Sequence, residues 1–326
     1  MSGKPPRFHN SSMASLFEKY LAEQTACGFS AQTYLRPLRR LDRLWLQHPG
    51  TAPGMTLEWY KKFMAPKRKP LSGGSLSCRA TQWRQLALFF LRQGVDAYVP
   101  DRYTLPILPG TYLPFIYTRP QLSALFAAAD ALADRYRRWY RHWSPGLFCR
   151  LLYGAGLRSG EALALCRRDF NPETGLLSVY GKKNHQMRHL PLSPSLAARL
   201  AEYLRQNPGE PDRPLFAART WRAKRPNDIS WWFRLLRPRA GLPPRINGQG
   251  PRLHDLRHTF AVHNMERWIR AGENLEVKIP VLAAYMGHTD YQSTYYYLRL
   301  VEPMFPDLVQ RFGVYAAGII PERGDA

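Results

Sequence analysis

Residues 104–120, TLPILPGTYLPFIYTRP, divide this chain in two. Pro106, Pro109, Pro114 and Pro120 lie in this run, with Gly110 among them. Each proline lacks an amide proton and has its φ fixed at about −65°, so the run cannot continue a helix and favours an extended spacer. A chain of 326 residues is also long enough for two domains of ordinary size. The expected division is 1–107 for a first domain, 108–119 for a proline-rich linker and 120–326 for a second domain.

The first domain reads as short helices. Ser12 can cap a helix that buries Leu16, Phe17, Tyr20 and Leu21, and a second pattern follows Ser30 with Leu35, Leu38, Leu41 and Trp45 on one face. Pro37 falls inside that second pattern and is expected to break it, kink it or delay its start. Thr56 opens a third segment. Ser75 or Ser77 opens a fourth, with Trp83, Leu86, Leu88, Phe89 and Phe90 available for burial. In the second domain Thr118 and Pro120 start a helix, and another around Leu147–Leu152 stops at Gly154 and Gly156. Residues 176–192 read as two strands around a polar turn, and helical patterns return at 194–206, 228–238, 255–270 and from about 280. The expected class is mainly α with a small antiparallel sheet.

Charge points to the partner. Lysine and arginine number 47 against 24 acidic residues, a formal net charge of +23. Residues 1–110 hold 16 of the basic and 6 of the acidic residues, so both halves are strongly basic. Such an excess repels itself unless the working partner is a polyanion, and nucleic acid releases counterions as its phosphates are neutralised. The basic residues are spread along the chain rather than gathered beside one amphipathic helix, which disfavours an anionic membrane. In 61–69, Lys61, Lys62, Lys67, Arg68 and Lys69 form a cluster that reads equally as solvated surface or as phosphate contacts. Cys27, Cys78, Cys149 and Cys166 lack CxxC or zinc-finger spacing and are expected to be small buried side chains in a reducing cytosol. No export signal and no run of about 20 apolar residues is visible, so the expectation is a cytoplasmic, nucleoid-associated protein.

Five features of the second domain bear on chemistry. GAGLRSGEALAL puts Arg158 after two glycines at a helix start, GKKN puts Lys182 and Lys183 in the polar turn, and LHDLRHTFAVH spaces His254 and Arg257 by one helical turn. YMGHTD supplies His288, and TYYYLRL supplies Tyr295, Tyr296 and Tyr297. Alone, each has an ordinary reading as surface, cap or packing. Together they make a kit for phosphoryl transfer. Two guanidinium forks can hold the non-bridging oxygens of a phosphodiester, a phenol can attack phosphorus, a lysine can protonate a departing alkoxide and a histidine can exchange a proton with the phenol. No Asp/Glu cluster suited to Mg²⁺ lies near these motifs, so neither a metal nor another cofactor is expected.

This set resembles the tyrosine recombinase (phage integrase) family, in the order Arg, Lys, His-x-x-Arg, His, Tyr. G-L-R-S-G-E is similar to the family's G-L-R-x-x-E, which places Glu161 as the acid that buttresses Arg158. LHDLRHTFAVH is close to its H-x-L-R-H-T-F-A-T-H, and M-G-H to its L-G-H. Lys182 lies 24 residues after Arg158 in a turn similar to the family's G-K-G-x-K, with Lys183 in place of the turn glycine. Either lysine could therefore be the acid, Lys182 being the choice. The family's nucleophile follows the histidine by nine residues, which selects Tyr297 ahead of Tyr296 and Tyr295. The match is strongest over 145–300 and weaker over 12–100.

The resemblance implies a helical, SAM-like core-binding domain and a catalytic domain closing as a C-shaped clamp on double-stranded DNA. It implies attack by Tyr297 to give a 3′-phosphotyrosine, with Arg158 and Arg257 stabilising the transition state. His254 would move the phenolic proton, Lys182 would protonate the 5′-oxygen and His288 would bond a phosphate oxygen. Lys61, Lys62, Lys67, Arg68, Lys69 and Lys183 would touch DNA. It further implies a homotetramer on two DNA sites through exchange of the apolar segment 302–320, and a monomer or dimer without DNA. A relaxing topoisomerase of type IB and a non-catalytic DNA-binding regulator are the alternatives.

Overall fold

The computed structural model describes residues 8, 13–48, 54–66, 71, 73–101, 113–135, 144–181, 186–216, 226–246, 250–288 and 296–301, with the backbone alone at 133–135, 226–228 and 299. The chain divides into two compact units, Met1–Thr111 and Tyr112–Ala326.

Among the described residues four helices build the first unit: α1 (Ala14–Ala26), α2 (Ala31–Leu46), α3 (Leu57–Met64) and α4 (Gly73–Arg92). Their apolar stripes meet in an aromatic core of Phe17, Tyr20, Trp45, Trp59, Phe63, Trp83, Phe89 and Phe90. Phe17 stacks on Trp45 at 5.4 Å, and Trp83 Nε1 donates to the Tyr98 carbonyl at 2.9 Å, so the Trp83 indole is both buried and satisfied. Thr56 caps α3, its hydroxyl accepting from the Trp59 amide.

Several local expectations are corrected here. Ser12 lies outside the described residues, and the residue at the start of α1 is Met13, which makes no side-chain cap. Pro37 does not interrupt α2. An interior proline costs about 3 kcal/mol, yet burying one leucine recovers about 1.5–3. In α2, Leu35, Leu38, Leu41 and Trp45 are all buried, so tertiary packing wins. Helix α4 starts at Gly73 rather than Ser75 or Ser77, because a first turn makes few intrahelical bonds and tolerates glycine there. Cys27 and Cys78 are exposed, and only Cys149 is buried. Cys78 lies off the stripe of Ala80, Trp83 and Ala87 that faces the core.

Among the described residues the second unit runs through α5 (Arg119–Arg135), α6 (Pro145–Gly154), α7 (Ser159–Ala164), a three-stranded sheet, α8 (Pro194–Gln206), α9 (Pro226–Arg239), α10 (Asp255–Arg270) and α11 (Leu275–Met286), and the last described element is a helical turn at Leu298–Val301. Thr118 and Gln121 cap α5 reciprocally, each side chain accepting from the other's amide. Strands β1 (Phe170–Asn171), β2 (Leu176–Gly181) and β3 (Gln186–Pro191) pair antiparallel in that order, with Val179 opposite Arg188. Strand β1 and the first residues of α11 were not expected. Pro280 lies inside α11, which starts at Leu275 behind an Asn274 cap rather than near 280. The main core packs α5, α6 and α9 against the sheet, and a second cluster joins α10 and α11 to Tyr297 and Val301. Among the described residues no helix is long and apolar enough to cross a membrane.

Candidate active site

Three backbone turns place the polar groups. Gly156, at φ +59°, ends the chain's exit from α6 and leaves Arg158 as the N-cap of α7. The turn before α10 leaves His254 as its N-cap, with Arg257 in the first turn. At the end of α11, Gly287 takes φ +69°, the Gly287 amide donates to the Ala284 carbonyl and the His288 amide to the Ala283 carbonyl. This is a Schellman closure, which requires a left-handed residue at the glycine and delivers His288 at a fixed position beyond it.

The side chains converge on Glu161. Its carboxylate accepts from the Arg158 amide at 2.9 Å and from Arg158 Nη1 at 2.8 Å. Arg257 Nη1 lies 3.8 Å from it and donates to the Gly156 carbonyl at 2.6 Å, while Arg257 Nη2 donates to the Met286 carbonyl at 2.7 Å. Arg158 Nη2 donates to the Gly287 carbonyl at 3.1 Å. Arg257 is 2% exposed, whereas the Arg158 side chain keeps 31% of its surface open. Burial pushes the Glu161 carboxyl up, but hydrogen bonds from Arg188 and from the Arg158 amide outweigh it, and the net shift is downward. Burial and the neighbouring Arg158 lower Arg257 to about 10, which still leaves it a cation at neutral pH.

Tyr297 is 3% exposed, its ring 6.1 Å from His288 and 5.6 Å from His258. Burial raises its pKa, and the Arg257 and Arg158 guanidinium groups oppose that rise. His254 meets His258 edge to face at 4.9 Å and keeps an exposed edge of its own. The protein packed on its other side, followed by the charges of Arg257 and Arg252, lowers its pKa. The structure thus brings Arg158 and Arg257 together on Glu161, with Tyr297 beside Arg257 and His288 and joined to His254 through the His258 ring. Two fixed cations stand beside a sequestered phenol, an arrangement suited to stabilising charge on phosphorus while the phenol attacks. Lys182, Lys183 and Tyr295 lie outside the described residues.

The Phage integrase family model matches residues 118–302, more than half of the chain. The chain belongs to the phage integrase family. Among the relatives of this integrase-family chain, tyrosine recombinase XerC of Methylobacterium sp. (strain 4-46) is 32% identical over 253 residues, 74% of this chain and 72% of that one. A protein of Sinorhizobium fredii (strain NBRC 101917 / NGR234), described as integrase/recombinase y4rB, is 32% identical over 206 residues, 61% of this chain and 66% of that one. In fold, the chain is similar to the Tn1549 transposon integrase solved in complex with a circular intermediate DNA, with a TM-score of 0.64 at 18% identity, covering 87% of this chain and 93% of that one.

Two parts of the integrase-family chain were missed by sequence reading. Arg188 on β3 also binds Glu161, through bonds of 3.2 and 2.8 Å. In the first unit, Arg36, Arg40 and Arg43 of α2 and Arg79 of α4 line a groove of about 820 Å³ together with Gln32 and Gln82, and among the described residues no carboxylate lines it. The spacing 36, 40, 43 along α2 was the available signal. Of the basic cluster nominated instead, Lys67, Arg68 and Lys69 lie outside the described residues. Lys61 is exposed, and Lys62 is occupied by Glu58 at 2.8 Å and by the Trp59 ring at 4.6 Å.

Proposed function

We propose that this tyrosine recombinase cuts and rejoins double-stranded DNA through a phosphotyrosine intermediate. The Tyr297 oxygen attacks the scissile phosphorus and loses its proton toward His254. The 5′-oxygen departs with a proton from Lys182, leaving a 3′-phosphotyrosine and a free 5′-hydroxyl. Arg158 and Arg257 neutralise the equatorial oxygens of the transition state, with His288 as a further donor. The new ester keeps the energy of the broken phosphodiester, so another 5′-hydroxyl can reseal the strand and no nucleotide need be spent. The observation that carries this reading is the placement of Tyr297 beside two arginines that are themselves anchored to backbone carbonyls. Such donors are aimed before substrate arrives, and losing one of them costs about 10²–10³ in rate.

The relatives are named recombinases and the structural neighbour is a DNA complex, which supports DNA as the substrate. Strand exchange between two duplexes needs four active sites, and the apolar segment 302–320 is the proposed exchange element of that tetramer. The test is a suicide substrate nicked beside the recognition site. Wild type should give a covalent protein–DNA adduct, and Tyr297→Phe should bind with near-normal affinity and give none. Absence of an adduct from wild type overturns the enzyme reading. An adduct from Tyr297→Phe moves the nucleophile to Tyr296 or Tyr295.

A further inference from the structure

Three successive carbonyls at the end of α11 are each taken by a different arginine. Arg188 Nε donates to the Tyr285 carbonyl at 3.1 Å, Arg257 Nη2 to the Met286 carbonyl at 2.7 Å and Arg158 Nη2 to the Gly287 carbonyl at 3.1 Å. The same three guanidinium groups surround the single carboxylate of Glu161, which is 6% exposed. Within this lattice Arg188 differs from the other two. It alone makes a two-pronged contact with both Glu161 oxygens from its own terminal nitrogens, and its side chain is 13% exposed against 31% for Arg158. Its Nη1 also sits 2.7 Å from where a Cβ on Gly287 would be, so Arg188 and the glycine turn fill one space.

We infer that Arg188 is a positioning residue for phosphoryl transfer, clamping Glu161 and the end of α11 so that Arg158, Arg257 and His288 are held facing the phosphate. This rests on the function proposed above. The physical argument is one of charge and geometry. Glu161 is a single buried anion among three cations, and a carboxylate free to turn would bind Arg158 and Arg257 more fully and draw them from substrate. By occupying one edge of the carboxylate, Arg188 fixes its plane and leaves Arg257 at 3.8 Å, close enough for attraction and too far for a hydrogen bond. Because Arg188 is on β3, which pairs with β2, the clamp also ties these two strands to the same anchor.

The test compares Arg188→Met, Arg188→Lys, Glu161→Gln and the double variant Glu161→Gln/Arg188→Met with wild type, on the nicked substrate and in DNA binding. Arg188→Met is expected to bind DNA within about 2-fold of wild type and to form adduct about 10²-fold more slowly. Arg188→Lys, which keeps the charge and loses the fork, should fall between them. The double variant should be no slower than Arg188→Met, since with the anion gone nothing is left to clamp. Losses that multiply in the double variant, or an Arg188→Met rate equal to wild type, overturn the inference while the wild-type adduct leaves the proposed function standing. Should Arg188→Met fail to fold, the cycle with Arg188→Lys reads the same non-additivity. A wild type without adduct removes the proposed function itself.

Discussion

His258 sits where burial and neighbouring cations disfavour a charge on its ring. Its ring lies between His254 and Tyr297, and its Nδ1 is buried without a hydrogen-bond partner among the described residues. Burial, followed by the charges of His254, Arg252, Arg257 and His288, lowers its pKa to about 3. An unfolded histidine titrates near about 6.5, so between those values the unfolded chain binds the extra proton and the folded chain does not. Stability is therefore full above about pH 6.5 and is lost as pH falls toward 3. The melting temperature should drop from pH 7 to pH 5, and less steeply in His258→Phe. Some drop should remain, because His254 and His263 are shifted in the same direction. Equal slopes for variant and wild type in thermal melts would remove His258 as a source. The residues of this pocket were unequally legible. Arg158, His254, Arg257 and His288 stand at helix ends or first turns where glycine, capping and spacing mark the chain locally. Arg188 has no such mark, since its partners lie 27 and 97 residues away and only folding brings them to it.

At the scale of elements, α2 and α4 carry the basic groove of the first unit, and α3 ends against it. Arg40 donates to the Ala65 carbonyl at 2.8 Å and Arg79 to the same carbonyl at 3.2 Å, so these two arginines also cap α3. Arg36 and Arg43 have exposed side chains and line the groove, so DNA lying in it would meet them through its phosphates. Each phosphate contact contributes about 0.9 to the slope of log affinity against log salt. Arg36→Gln/Arg43→Gln should accordingly flatten that slope by nearly two contacts' worth, whereas Lys62→Gln, already held by Glu58 and Trp59, should barely move it. Filter binding or anisotropy across a salt series measures both, and the reverse ranking would return the role to the lysine cluster. The helices themselves were largely readable from apolar spacing and caps, as Thr56 and Thr118 illustrate, whereas the Asn274 cap of α11 went unread. Pro37 misled because local rules count the lost hydrogen bond and omit the buried face that outweighs it. Strand β1 escaped because two residues leave no alternation to detect.

The molecule as a whole has more than one core, and this governs how it should unfold. The aromatic core of α1 to α4 belongs to Met1–Thr111, while the core around α5, α6, α9 and the sheet, with the cluster at Tyr297, belongs to Tyr112–Ala326. Each unit holds enough buried apolar surface for its own cooperative transition, and the proline-rich run between them cannot extend either helix set across the boundary. Calorimetry on the full chain should therefore resolve two transitions, or one broad transition whose calorimetric enthalpy exceeds the van't Hoff value. Variants assign them. Pro37→Ala restores the amide donor that α2 lacks and relieves up to about 3 kcal/mol, so it should raise the transition of the first unit alone. His258→Phe should alter only the pH dependence of the other. A single transition with matching enthalpies, moved by both variants alike, would mean that the two cores unfold as one. In that case the boundary at 111/112 would be one of packing and not of cooperativity.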